Sequence, residues 1–127
     1  MRIWTNGCFD VLHIGHIEMF RYAKSKGSYL VVGIDSDERV RSLKGEGRPI
    51  NNQEDRANFL RAIKYIDEVF IFDNEDHMVS LVESNGIDLI VVGEEYRDRK
   101  VTGSNVCQVE YFPRIGEYST TSIINSK

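Results

Sequence analysis

The chain has few of the residues that mark disulfide-stabilised or nucleic-acid-binding proteins. Of its 127 residues only two are cysteines, Cys8 and Cys107, and they form no C-x-x-C pair. Two cysteines do not make a disulfide framework, so we expect a reducing compartment, the cytoplasm. Basic residues do not predominate, since the chain has 16 lysines and arginines and 20 acidic residues, which gives a net charge of −4. Broad nucleic-acid binding depends on a basic face, so we expect no nucleic-acid partner.

Long apolar runs are also missing. No stretch approaches the roughly 20 apolar residues of a membrane-spanning helix, and the N-terminus has no apolar leader. We therefore expect no membrane partner. A composition of 41% hydrophobic and 28% charged residues is that of an ordinary globular protein. The length suits one domain, which we expect to comprise residues 1–127.

Short apolar runs alternate with segments of helical periodicity along the chain. The expected strands are Arg2–Thr5, Tyr29–Ile34, Glu68–Phe72, Asp88–Val92 and an edge strand at Gln108–Phe112. The expected helices are Ile14–Lys26, Asp37–Leu43, Gln53–Ile63 and Asp76–Glu83, with another starting at Thr120. Apolar strands separated by helices indicate an α/β fold with a five-stranded parallel sheet covered on both faces. Such sheets bind ligands at the carboxyl ends of their strands, where the strand order reverses.

The most informative segment runs from Gly7 to His16 and joins the first strand to the first expected helix. A strand, a tight turn and a helix start together make an anion site from backbone N–H groups and the helix dipole. His13 and His16 are three residues apart, so both imidazoles can face one bound group. Gly15, which lies between them, lets a phosphate approach the backbone closely. The segment therefore predicts chemistry on a phosphate.

Two other interpretations of these histidines stay open. The H-x-x-H spacing occurs in zinc sites and Cys8 could add a ligand, but the chain offers no convincing further set, so we expect no protein-held metal. The histidines can also be a helix cap and a surface residue. In a phosphate site they would donate hydrogen bonds to the bound phosphate as charge builds in the transition state.

Three ordered segments carry a resemblance to a known family. Residues 7–16, Gly-Cys-Phe-Asp-x-x-His-x-Gly-His, resemble the signature of the cytidylyltransferase-like nucleotidyltransferases, which join a nucleotide to a phosphorylated small molecule. Lys44–Ile50 with Glu54–Arg56 resembles the heptose 1-phosphate adenylyltransferases. Pro113–Thr121 resembles the Arg…Ile-Ser-Thr-Thr element of the glycerol-3-phosphate cytidylyltransferases, although Gly116-Glu117 reverses the usual order. The resemblance implies a Rossmann-like three-layer sandwich.

The resemblance also implies roles for individual residues. The implied catalytic residues are His13, His16, Lys44 and Arg114, and Asp10 is implied to lie near the acceptor substrate. The implied nucleotide-binding residues are Gly7, Cys8, Phe9, Gly15, His16, Arg56, Gly93, Glu94, Ser119 and Thr120.

Simpler structural roles are open to several of these side chains. Asp10 can satisfy the backbone of its turn, and Lys44 can lie in a solvated loop rather than in a flap over the phosphates. Arg56 can form a surface ion pair of little energetic value. Asp35 and Asp37 follow the second strand, and we expect them to cap the next helix.

The expected activity is nucleotidyl transfer from a nucleoside triphosphate, with ATP favoured, to a sugar phosphate such as heptose 1-phosphate, with release of pyrophosphate. Mg²⁺ is expected to arrive with the triphosphate rather than in a protein cage. One alternative is transfer from CTP to glycerol 3-phosphate, and another is adenylyl transfer to a cofactor precursor. A third is a nucleotide sensor that has lost turnover. The resemblance implies a homodimer.

Overall fold

The computed structural model describes residues 1–113, apart from the side chain of Glu95, and these residues alternate between strands and helices. The strands are β1 (Arg2–Gly7), β2 (Tyr29–Asp35), β3 (Glu68–Phe72), β4 (Leu89–Gly93) and β5 (Gln108–Phe112). The helices are α1 (Ile14–Ser25), α2 (Asp37–Lys44), α3 (Gln53–Arg61) and α4 (Glu75–Ser84), and a 3₁₀ turn, Glu94–Tyr96, follows β4. The predicted elements in this part of the chain are confirmed, and no predicted end differs from the observed one by more than two residues. The helix predicted to start at Thr120 lies outside the described residues.

The five strands form one parallel sheet in the order β3-β2-β1-β4-β5. The chain leaves β1 for β2 and β3 on one side, and then returns to place β4 and β5 on the other. The strand order therefore reverses at β1, and a crevice opens between the loops that leave β1 and β4. The predicted α/β fold with a five-stranded parallel sheet is confirmed.

Two hydrophobic clusters cover the two faces of the sheet. Because successive side chains of a strand point to opposite faces, Ile3 joins one cluster and Trp4 the other. The Ile3 cluster includes Phe20 of α1 and Leu60 of α3, whereas the Trp4 cluster includes Met78 of α4. Helices therefore pack on both faces, which confirms the three-layer Rossmann-like sandwich.

Polar caps begin the helices that lead away from the sheet's carboxyl edge. Ser36, Asn52 and Asn74 accept hydrogen bonds from backbone N–H groups in the first turns of α2, α3 and α4. The prediction that Asp35 and Asp37 cap α2 is therefore wrong, since Ser36 between them is the cap. Both carboxylates are left for other contacts.

None of the helices in the described part of the chain is both long and apolar enough to cross a bilayer.

Candidate active site

A cleft of about 470 Å³ opens at the carboxyl edge of the sheet. The strand ends that line it belong to β1, β2, β3 and β4, and they contribute Gly7, Asp35, Phe72 and Gly93. The cleft thus lies where the strand order reverses, which is the position that parallel sheets offer to ligands. Residues 7–10 and Gly93, which are 83 or more positions apart in the chain, line the same cleft.

The turn that follows β1 holds an unusual backbone conformation. Phe9 has a φ of +50°, in the left-handed region that a bulky residue rarely adopts. Its ring packs across Gly7, where an added Cβ would lie 3.1 Å from the ring, and edge-on to Phe20 at 5.2 Å between centroids. Burial of the ring in the core holds the turn in place, which keeps the Cys8 and Asp10 backbone at the cleft.

The two motif histidines cap α1. His13 is the N-cap residue, and its Nδ1 accepts a hydrogen bond from Gly15 N–H at 3.0 Å. His16 Nδ1 accepts a hydrogen bond from His13 N–H at 3.2 Å, which completes a reciprocal capping box. The rings lie against each other with centroids 3.9 Å apart. The helix-cap interpretation of the two histidines is therefore part of the answer, and it leaves the Nε2 of His16 for other contacts.

His16 presents a neutral ring to the cleft. Burial, with the nearby His13 ring, lowers the pKa of His16 from 6.5 to about 4. Because Nδ1 accepts a hydrogen bond, the proton of the neutral ring lies on Nε2. His16 lines the cleft, so this Nε2–H is a hydrogen-bond donor that stays available across the physiological pH range.

Asp10 is the anchor of the loop that follows α2. Its Oδ2 accepts hydrogen bonds from Arg48 Nε at 3.1 Å and Ile50 N–H at 2.7 Å, and its Oδ1 accepts one from Asn51 N–H at 2.8 Å. Burial alone would raise the pKa of Asp10, but these backbone N–H groups and the guanidinium outweigh it and hold the pKa below its ordinary value. Asp10 therefore holds this loop through both carboxylate oxygens, and its predicted place near the acceptor substrate stays a prediction.

Arg56 lies beneath the cleft and has no exposed surface. Its guanidinium donates to the carbonyls of Cys8 at 2.9 Å, Asp35 at 2.8 Å and Asn51 at 3.0 Å, and to Asp37 Oδ1 at 2.8 Å. Every donor nitrogen of this buried group already serves the protein, and the predicted nucleotide contact stays a prediction. The surface ion-pair alternative is excluded.

Several basic side chains contribute to the lining. Lys44 lies at the C-terminus of α2, where Gly45 and Gly47 with φ of +91° and +90° begin an exposed loop. Within residues 1–113 Lys44 has no carboxylate at ion-pair distance, so its charge is available to the cleft. The other basic residues in the lining are Arg39, Arg48, Arg99 and Lys100.

The predicted site residues divide into three groups. The cleft lining contains Gly7, Cys8, Phe9, Asp10, His16, Lys44 and Gly93. The lining does not contain His13, Gly15, Arg56 and Glu94, and the Glu94 carboxylate instead accepts two hydrogen bonds from Arg97. The predictions for Arg114, Ser119 and Thr120 lie outside the described residues.

Sequence reasoning missed Asp35 and Arg39 as cleft residues. They form an ion pair in the lining, with Arg39 Nε 2.7 Å from Asp35 Oδ1. The signal in the sequence is the four-residue spacing of Asp35 and Arg39 across a strand end and a helix start, which also fits the capping role expected for the aspartate. Arg48, whose role the sequence leaves open, lies in the lining and holds Asp10.

The Cys8 thiol in the cleft is not an activated nucleophile. Burial raises the pKa of the Cys8 thiol above its ordinary value, although the charges of Lys44 and Arg56 oppose the shift. Cys8 is therefore protonated at neutral pH. In the described part of the chain, no three His, Cys, Asp or Glu side chains cluster in a way that could hold a metal ion.

Known proteins are similar to this chain in sequence and in fold. The cytidylyltransferase-like family model matches residues 4–125. Bifunctional protein HldE of Campylobacter fetus is 46% identical over 124 residues, which are 97% of this chain and 27% of that protein. The chain thus spans about a quarter of the length of the curated relatives that it matches.

Solved structures agree with the fold. A lipopolysaccharide core biosynthesis protein from Thermoplasma volcanium superposes with a TM-score of 0.71 at 26% identity, over 94% of this chain and 98% of that one. Pantothenate synthetase from Thermus thermophilus has a TM-score of 0.67 at 13% identity, over 96% of this chain and 60% of that one, and shares the fold alone. With the family model covering nearly the whole sequence, the chain belongs to the cytidylyltransferase-like family of nucleotidyltransferases.

Proposed function

We propose that this chain transfers AMP from ATP to a sugar phosphate, with heptose 1-phosphate the favoured acceptor, and releases pyrophosphate. The observation that carries the proposal is His16: a neutral imidazole with its Nε2–H in the cleft, at the N-terminus of a 12-residue helix. A fixed donor beside a helix N-terminus suits a polyphosphate that gains charge during reaction. The resemblance of Lys44–Ile50 to the heptose 1-phosphate adenylyltransferases supports the choice of nucleotide and acceptor.

The proposed reaction is a single displacement at phosphorus. An oxygen of the acceptor phosphate attacks the α-phosphorus of ATP, and a new P–O bond forms as the bond to the bridging oxygen of pyrophosphate breaks. Negative charge grows on the departing pyrophosphate, where His16 Nε2–H and Lys44 would stabilise it. The protonated Cys8 has no part in such a step, because the acceptor phosphate is itself the nucleophile. Arg114, Ser119 and Thr120 would add further phosphate contacts.

Magnesium enters this proposal with the nucleotide. When bound, the ion would neutralise part of the triphosphate charge. Asp10 is the acidic residue of the motif, but its carboxylate oxygens are occupied by Arg48, Ile50 and Asn51. Phosphate oxygens and water would therefore hold the ion, while His16 and Lys44 hold the phosphates. We also propose a cytoplasmic homodimer, which the family resemblance supports.

The proposal is tested by a grid of pyrophosphate release, with ATP or CTP set against heptose 1-phosphate or glycerol 3-phosphate and with Mg²⁺ present. The expected result is release with ATP and heptose 1-phosphate. Release with CTP and glycerol 3-phosphate alone would transfer the assignment to the cytidylyltransferase alternative, which the Pro113–Thr121 resemblance favours. Nucleotide binding without release from any pair would contradict the proposal, and would favour a sensor or a cofactor-precursor acceptor.

A further inference from the structure

One wall of the cleft carries an ion pair with unused hydrogen-bonding atoms. Asp35 ends β2 and Arg39 lies in the first turns of α2, and Arg39 Nε donates to Asp35 Oδ1 at 2.7 Å. The exposed fraction of the side chain is 15% for Asp35 and 21% for Arg39, and both side chains line the cleft. Asp35 Oδ2 and the two terminal nitrogens of Arg39 make no hydrogen bond with any described residue. One carboxylate oxygen of Asp35 and the two terminal NH₂ groups of Arg39 are therefore available to a ligand.

The pair is held rigidly enough to recognise a ligand. The Arg39 guanidinium lies over the Phe72 ring, 5.6 Å from its centroid, and Phe72 is buried at the end of β3. The Asp35 backbone is fixed as well, because its carbonyl accepts a hydrogen bond from the buried Arg56. Groups whose orientation is set before binding lose little entropy when a ligand arrives.

The cleft lining also carries carboxylates that a triphosphate would avoid. Asp35 and Glu75 are both in the lining, and Glu75 Oε1 accepts a hydrogen bond from Thr102 at 3.3 Å. Two carboxylates repel phosphate oxygens, whereas a hydroxyl group can donate to a carboxylate and accept from a guanidinium. Neighbouring hydroxyls of a sugar or polyol match the adjacent acceptor and donors of the pair.

We infer that the Asp35–Arg39 pair binds adjacent hydroxyl groups of the acceptor, so that these two residues select a polyhydroxylated phosphate over a plain one. The inference rests on the proposed function, since it concerns the acceptor of that reaction. In the proposed function the nucleotide phosphates would instead be held by His16 and Lys44. The alternative is an ion pair that only joins β2 to α2 and contacts no ligand.

The test uses Asp35→Asn and Arg39→Lys in the full chain, with ATP and heptose 1-phosphate as the substrates. Asparagine keeps the shape but replaces an acceptor oxygen with an NH₂ group, and lysine keeps the charge but loses the planar fork. Glu18→Gln and Arg21→Lys are matched controls, because that pair lies on α1 outside the cleft with its charged atoms 3.6 Å apart. The readouts are the KM for each substrate, the Kd for ATP alone and the melting temperature.

Loss of hydrogen bonds to charged groups should raise the acceptor KM about ten- to a hundredfold in both variants. The KM and Kd for ATP should change by less than about twofold, and the controls should match the wild type. The inference would be overturned if the acceptor KM did not change in the variants, or if the KM values for ATP and for the acceptor rose equally. In either case, pyrophosphate release by the wild type would still uphold the proposed function. A wild type that releases no pyrophosphate from ATP and heptose 1-phosphate would remove the proposed function and this inference with it. If Arg39→Lys fails to fold, Asp35→Asn decides the matter alone.

Discussion

His16 uses its two ring nitrogens for different purposes. Nδ1 accepts the His13 N–H and so belongs to the cap of α1, whereas Nε2 belongs to the cleft. The His-x-Gly-His pattern predicts that the histidines share one helix face, and the structure brings their rings into contact. The pattern does not reveal that both Nδ1 atoms are occupied, because that depends on the φ and ψ angles at His13.

The lowered pKa of His16 predicts a pH-dependent loss of stability. The folded value is about 4 and the ordinary value is 6.5, so between these pH values the unfolded chain binds more protons. The stability that depends on neutral His16 is complete above pH 6.5 and is lost as the pH falls toward 4. Between pH 7 and pH 5 the free energy of unfolding should fall by about 2 kcal/mol more in the wild type than in His16→Asn.

Urea unfolding of both proteins at pH 7 and pH 5 measures this difference. His77→Asn is the control, because His77 lies on α4 and is more than a third exposed. Equal losses in the wild type and His16→Asn would show that His16 is not held neutral by the fold.

At the scale of elements, Arg56 joins three segments of the site. It reaches the turn after β1, the end of β2 and the start of α3 through carbonyl oxygens that lie 48, 21 and 5 residues away in the chain. The sequence predicts the helix that contains Arg56, but it does not predict burial of the guanidinium. Burial follows from the convergence of strand ends, which is a non-local property of the sheet.

Arg56→Met should lower the free energy of unfolding by about 3–5 kcal/mol, because it leaves Asp37 and three carbonyls without their donor. Arg61→Met is the matched control, since Arg61 ends the same helix and is exposed. Urea denaturation of both variants measures the effect. A loss for Arg56→Met no larger than that for Arg61→Met would contradict the role of Arg56 as the buried anchor of the cleft.

At the scale of the whole molecule, the sequence predicts the architecture well and the cleft less well. The strands are short runs that are mostly apolar, such as Tyr29–Asp35, and their separation by helices is enough to indicate a parallel sheet. The cleft depends on which side chains are already engaged, as for Asp10 and Arg56, and on which remain available, as for Asp35. Whether a side chain is engaged or available can depend on a single hydrogen bond, and such a bond produces no periodic pattern in the sequence.

The central claim is that this cleft performs nucleotidyl transfer, with His16 donating a hydrogen bond to the phosphates of the nucleotide. Asparagine at this position can still accept the His13 N–H through Oδ1, so His16→Asn should keep the helix cap while it removes the Nε2–H. His16→Gln can place an N–H near the lost Nε2 and should recover part of the rate, and His77→Asn is the control on α4.

The most direct measurement is the rate of pyrophosphate release from ATP and heptose 1-phosphate by these variants. The account predicts that the rate of His16→Asn is lower than that of the wild type by a factor of about 10²–10³, and that its melting temperature at pH 7 is unchanged. His77→Asn should keep the wild-type rate. A folded His16→Asn protein that releases pyrophosphate at nearly the wild-type rate would contradict the account.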